Sequence, residues 1–267
     1  MAPRKRAMRF VEGAVAIALA VLWVSKADAQ DAMRGLDMSS PDMTTAEMTR
    51  AQVEAASAAA GGRGADFTGK RLSGLDLSGL DLSGAILRAA RLNHANLSHA
   101  NLGGATLDQA WALEVDLTGA SLVKASLFAT QLEGAHLDGA SLMGARVTAD
   151  LTGARLVGAR FEDADCSADE KNQSMGLMRA TFKSADLSRV DFSRANLARA
   201  DLRFAKLSQA NLAGASLREA DASGADLRGA LIQGADTSGL DIDSARIDSA
   251  SAPFLAKTIN LDRARSE

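Results

Sequence analysis

One large apolar residue recurs at every fifth position from Phe67 to Val147: Phe67, Leu72, Leu77, Leu82, Leu87 and onward through Leu142, with Ala112 the one small member. Five is neither the 3.6-residue period of a helix nor the two-residue period of a strand, so the chain is a repeat array. The same short code surrounds each centre. Alanine usually stands two before it (Ala85, Ala90, Ala95), Asp or Asn often one before it (Asp66, Asp76, Asn96), and glycine at sixteen places two after it (Gly69, Gly74, Gly119, Gly214). In extended chain, residues two apart share a side, so alanine and the centre face in while the carboxylate or amide faces water. The glycine phase marks a corner, where a type II turn needs positive φ.

This A(D/N)LxG unit resembles the pentapeptide-repeat family, and the resemblance spans residues 65–252. It implies an all-β fold, a right-handed quadrilateral β-helix in which four units, twenty residues, make one coil. Unit counting then gives about nine coils, roughly 45 Å long at the usual strand spacing of about 4.8 Å. After Val147 the beat loses one residue and the centres move to Leu151, Leu156, Phe161 and Cys166, before reappearing at Leu177, Phe182 and Leu187. One deletion balanced by one insertion predicts a continuous solenoid that recovers its faces, with an irregular loop near residues 166–176.

The ends read differently. Arg4, Lys5, Arg6 and Arg9 precede the apolar run GAVAIALAVLWV and an Ala27-Asp28-Ala29 exit, the layout of a secretory signal peptide over residues 1–29. Twelve apolar residues are few for a bilayer span, and an uncleaved anchor is the alternative. Cleavage after Ala29 would remove five basic and two acidic residues and take the formal charge from -3 to -6. The expected compartment is the bacterial periplasm or the exterior. Residues 30–64 read as a tether and then a short capping helix, with Thr49 as N-cap, Gln52 three residues on, Met48 stapled to Val53, and Gly61-Gly62 as the stop. Such a helix covers the exposed edge of the first coil. Residues 253–267 are either a lid or a self-association surface for a homodimer, ending in a loose charged tail.

Little in the chain suggests chemistry. The one cysteine, Cys166, occupies a centre and reads as a buried small hydrophobe. His94 and His99 stand at corners, and His136 stacks over Asp116; no nucleophile–base set or zinc spacing appears, so no catalytic, cofactor or metal site is expected and the protein is not an enzyme. Asp201, Asp221 and Asp241 stack as solvated like charges, while Asp186, Lys206, Asp226 and Arg246 form a surface ion ladder. Arg189, Arg194 and Arg199 fall on successive faces, which leaves no basic stripe for nucleic acid.

One exchange stands out. At Trp111-Ala112 the large and small residues are swapped, which puts indole outside and methyl inside. Either Arg91, one coil below, stacks on the ring, or Trp111 anchors a partner. Lys183 lies under Arg203 on a column other than that of the Asp186 ion ladder. Trp111, Arg91, Lys183 and Arg203 are thus the candidate partner-binding residues. Two functions remain: an exported, non-enzymatic scaffold or binding rod with a protein partner, and a DNA-mimicking rod. The second follows from resemblance to the quinolone-resistance members of the family, acidic rods that bind gyrase; the export signal and the scattered arginines oppose it.

Overall fold

Five backbone amides per unit must find acceptors, and the unit around Leu97 shows where they go. The computed structural model describes residues 37–169 and 178–266. In it the Ala95 N–H closes a turn on the Leu92 carbonyl (3.0 Å), Asn96 donates to Leu75 of the coil before (2.8 Å), and Leu97 and His99 donate to Asp116 (2.7 Å) and Thr118 (2.9 Å) of the coil after. The fifth amide, on Ser98, donates to the Asn96 Oδ1 at 3.0 Å. That bond returns at Thr68 on Asp66, Thr118 on Asp116 and Ser223 on Asp221. The polar residue before a centre therefore holds the turn as well as facing water. Where that residue is not Asp or Asn, an acid or amide of the coil below can serve: Asn93 accepts from Leu113, and Asp108 from Phe128.

Parallel bridges join each residue before a centre to the one twenty later, Asp66 to Ile86, Arg71 to Arg91, Asp76 to Asn96 and Asp81 to Asn101, so four ladders run along a solenoid β-helix. Leu72, Leu77, Leu97, Ala90 and Ala110 are fully buried between them. Each leucine contributes about 1.5–3 kcal/mol before chain entropy is subtracted. The corner residue has positive φ whether or not it is glycine: His94, His99, Glu114 and Phe204 lie between +51° and +59°. A side chain there costs about 1–2 kcal/mol, which the bonded wall on either side offsets.

The interruption differs from expectation. Ladder partners stand 19 apart from Gln131–Asp150 to Arg146–Asp165, then 31 apart from Asp150–Thr181 to Asp165–Asn196, then 20 again. The shortened coil is as predicted, but its sequel is eleven extra residues (31 against 20) and not one. The beat restarts at Phe182; Leu177, expected as a centre, falls in residues 170–177, outside the described residues. The wall tolerates the excursion because its ends meet: the Asp169 N–H donates to the Met178 carbonyl at 2.7 Å. Phe161, Phe182 and Phe192 fill the interior at this level, their ring centroids 4.8–6.0 Å apart.

At the start, the segment before the capping helix was expected to be a tether. Its described part instead docks: α1 (Pro41–Thr44) buries Met43, and the Glu47 N–H donates to the Arg71 carbonyl at 2.9 Å. Helix α2 (Arg50–Ala60) begins at Thr49, whose Oγ1 accepts from Gln52 N–H while Gln52 Oε1 accepts from Thr49 N–H, and ends at Gly61 with φ +57°. Val53 is buried in the same core as the leucines. At the far end, a strand β1 (Arg246–Ile247) pairs in parallel with β2 (Arg265–Ser266), and Ile259 bridges Asp241. Between them Leu255 is buried, while Phe254 and Ile259 are exposed.

Candidate functional site

The ladder register gathers the candidate residues on one wall. Arg71, Arg91, Trp111, Gln131 and Asp150 follow one another in a single ladder, which crosses the excursion to Thr181, Asp201, Asp221 and Asp241. Lys183 and Arg203 sit two residues beyond Thr181 and Asp201, on this wall and apart from the ladder of Asp186, Lys206, Asp226 and Arg246. Trp111 and Asp201 are four rungs apart, about 19 Å. The register across the excursion could not be read without knowing that the ladder offset rises to 31 there.

The four residues are not equivalent. Trp111 is half-buried, and Ala112 takes the inward place with Val115 beside it, both buried. Arg91 does not stack on the indole: among the described residues the cation–ring contact is Arg146 over Phe128, at 5.9 Å. Arg203 is engaged at home. Its Nε and Nη2 clasp the Asp201 carboxylate at 2.8 and 2.6 Å, and Arg179 Nη2 reaches the same carboxylate at 3.3 Å. Asp201 is only 2% exposed. Burial works to raise its pKa, but the hydrogen bonds of Arg203 and the charges of Arg203 and Arg179 outweigh burial and hold it below the ordinary carboxylate value. Lys183, by contrast, is exposed.

The stacked aspartates are engaged too. Asp201 was expected to be solvated, but is enclosed by its two arginines because the returning chain lays Arg179 against it. Asp221 Oδ1 accepts from Ser223 N–H, and Asp241 Oδ1 from Asp243 N–H and Asn260 Nδ2. Among the described residues no group of three or more His, Cys, Asp or Glu side chains gathers as a metal set. Burial pushes the Cys166 thiol far up, so it is not a thiolate nucleophile. His94 Nδ1 lies 3.4 Å from Glu114 Oε2 one coil on, and the His99 ring lies over Gly119.

Sequence reasoning missed Phe204. It is 58% exposed at a corner of this wall with φ +59°, and its ring lies where a methyl on Gly224, one coil on, would stand at 2.6 Å. An aromatic at the corner phase with glycine twenty residues later is the signal that could have found it.

A family model described as pentapeptide repeats matches in eight copies, over residues 63–93, 70–109, 113–148, 177–212, 195–234 and 210–246, together more than half of the chain. No curated protein matches. Among solved structures, HetL, a pentapeptide repeat protein involved in heterocyst differentiation regulation from the cyanobacterium Nostoc sp. strain PCC 7120, is 33% identical over 66% of this chain and 84% of its own, with a TM-score of 0.38. A trypsin-treated form of QnrB1, a plasmid-mediated fluoroquinolone resistance protein, is 15% identical over 72% of this chain and 94% of its own, with a TM-score of 0.50. A pentapeptide repeat protein of the Arabidopsis thaliana thylakoid lumen is 24% identical over 53% of this chain and 71% of its own, with a TM-score of 0.23.

Proposed function

The chain belongs to the pentapeptide-repeat family, and from that premise we propose that it is an exported, non-enzymatic binding rod that offers the Trp111 wall to a protein partner. The rod in this reading is a right-handed, four-sided β-helix of about nine coils, as the twenty-residue ladder offset supports. Helix α2 serves as its N-terminal cap: Arg50 Nη1 and Nη2 donate to the Asp76 and Ser78 carbonyls, both at 2.9 Å, where no earlier coil supplies an amide.

One observation carries the binding role. At Trp111-Ala112 the array places its large residue outside, with Ala112 in the interior, and tryptophan is enriched among the residues that anchor interfaces. Export rests on the basic head, apolar run and Ala27-Asp28-Ala29 exit, all outside the described residues. Cross-linking capture from the periplasmic fraction, run with parent and Trp111→Ala proteins alongside a mass measurement of the mature N-terminus, tests both halves. A partner captured equally by both proteins would remove Trp111 from the site. An intact Met1 in cytosolic protein would overturn export and bring back the gyrase-binding alternative, to which the likeness to QnrB1 lends only the fold.

A further inference from the structure

The wall that carries Trp111 already holds one peptide segment, its own. Residues 42–47 lie against its first rungs: Asp42 Oδ1 is 2.8 Å from Arg71 Nη1, Glu47 Oε2 is 3.7 Å from Arg71 Nε, and the Glu47 N–H donates to the Arg71 carbonyl. Asn93, one rung on, donates through Nδ2 to the Met43 carbonyl at 3.2 Å and accepts from the Leu113 N–H at 3.0 Å. An acidic stretch thus reads this wall by pairing its carboxylates with the ladder arginine while Met43 is buried.

The next rung repeats half of that arrangement and lacks the other half. Arg91 is bridged directly to Arg71, so two like charges stand side by side, and only Arg71 has acids. Arg91 forms no ion pair among the described residues, whereas Arg71 has two acids; the Nε of each is buried without a hydrogen-bond partner. Half-buried Trp111 and Leu113 follow immediately on the same wall.

We propose that Arg91, Trp111 and Leu113 receive an acidic, extended segment of a partner protein, which continues along the wall from the chain's own residues 42–47, with a carboxylate on Arg91 and an apolar side chain on Trp111. Charge complementarity sets the occupant: on the rung below, Asp42 pairs with the same residue type in the same ladder, while Glu47 is shared between Arg71 and Lys70. The inference rests on the protein-binding role proposed above and adds the chemistry of the partner.

The chain holds two tryptophans, Trp23 and Trp111, so in the full chain carrying Trp23→Phe the indole emission reports Trp111 alone. Titration with acetyl-Asp-Leu-Glu-Leu-Asp-Leu-amide is expected to shift that emission saturably. Its Asn/Gln counterpart, and the Arg91→Gln protein with an unchanged melting temperature, are expected to bind at least about tenfold more weakly, the size of one charge-assisted hydrogen bond. Equal binding of the two peptides, or of the two proteins, overturns the proposal. So does sedimentation showing that a second copy of the chain shields Trp111. If Trp111-dependent partner capture persists while the acidic peptide fails to bind, the acidic chemistry is wrong and the binding role stands; if both fail, both fall.

Discussion

At the scale of single residues, two positions in each unit do different physical work. Leu197 is fully buried in an interior only two side chains wide, so Leu197→Asp places a carboxylate where neither water nor a partner reaches it. The expected cost exceeds about 4 kcal/mol, enough to abolish a cooperative thermal transition. A variant that melts like the parent would mean that the centres do not face inward. Asn96 acts through the turn. Asn96→Ala leaves the Ser98 N–H without its Oδ1 acceptor and is expected to cost about 1 kcal/mol, while Asn96→Asp keeps the acceptor and stays close to the parent in chemical denaturation. The code alone showed Asp and Asn facing water; it did not show the amide they hold, because that bond depends on the turn bringing the backbone two residues on against its own side chain.

At the scale of elements, the repeat was legible and its exceptions were not. Four ladders, the buried centres and the corners at His94 and His99 follow from period and phase. The excursion hid because Leu177 falls on a plausible beat, and a five-residue code with many small residues fits by accident over short stretches. The docking of Met43 escaped for a different reason: Pro41 and its polar neighbours fit the repeat poorly, so the segment before the capping helix reads as a tether. The Arg203 clasp of Asp201 is local and recurs at Asp226 and Arg228, but the approach of Arg179 depends on where the excursion returns, which no local pattern encodes. The join between α2 and the first coil offers a test. Gly64 has φ +79°, and a methyl there would run into the Gly84 carbonyl oxygen, whereas Gly69, with φ +66°, has open space around it. Gly69→Ala should cost only the left-handed conformation, about 1–2 kcal/mol. Gly64→Ala should cost more and expose the first coil, seen as faster hydrogen exchange at Leu72 and Leu77 than at Leu142. Equal effects of the two substitutions would show that the join has room to move.

At the scale of the whole molecule, the turns tie stability to acid in a patterned way. The Thr68, Ser78, Ser83 and Ser238 hydrogen bonds hold Asp66, Asp76, Asp81 and Asp236 below the ordinary carboxylate value. Asp163, hydrogen-bonded by Arg194, and Glu219, hydrogen-bonded by Arg199, are lowered as well. A carboxyl whose folded pKa is depressed binds its proton more readily in the unfolded chain. Its contribution is therefore fully present above the unfolded value, near 4, and disappears as pH falls through the lower folded value. The melting temperature should accordingly stay level from about pH 8 to pH 5 and fall below about pH 4. The fall should not be uniform along the coils. Turn amides at Ser98, Gly103, Ala198 and Ala213 rest on Asn96, Asn101, Asn196 and Asn211, which do not titrate. Hydrogen exchange near pH 3, corrected for intrinsic rates, should open the amides of Thr68, Ser78, Ser83 and Ser238 before these four. Nearest-neighbour coupling along a solenoid lets such local opening occur without global unfolding. If both sets opened together, the acid response would belong to the molecule's net charge and not to its turns.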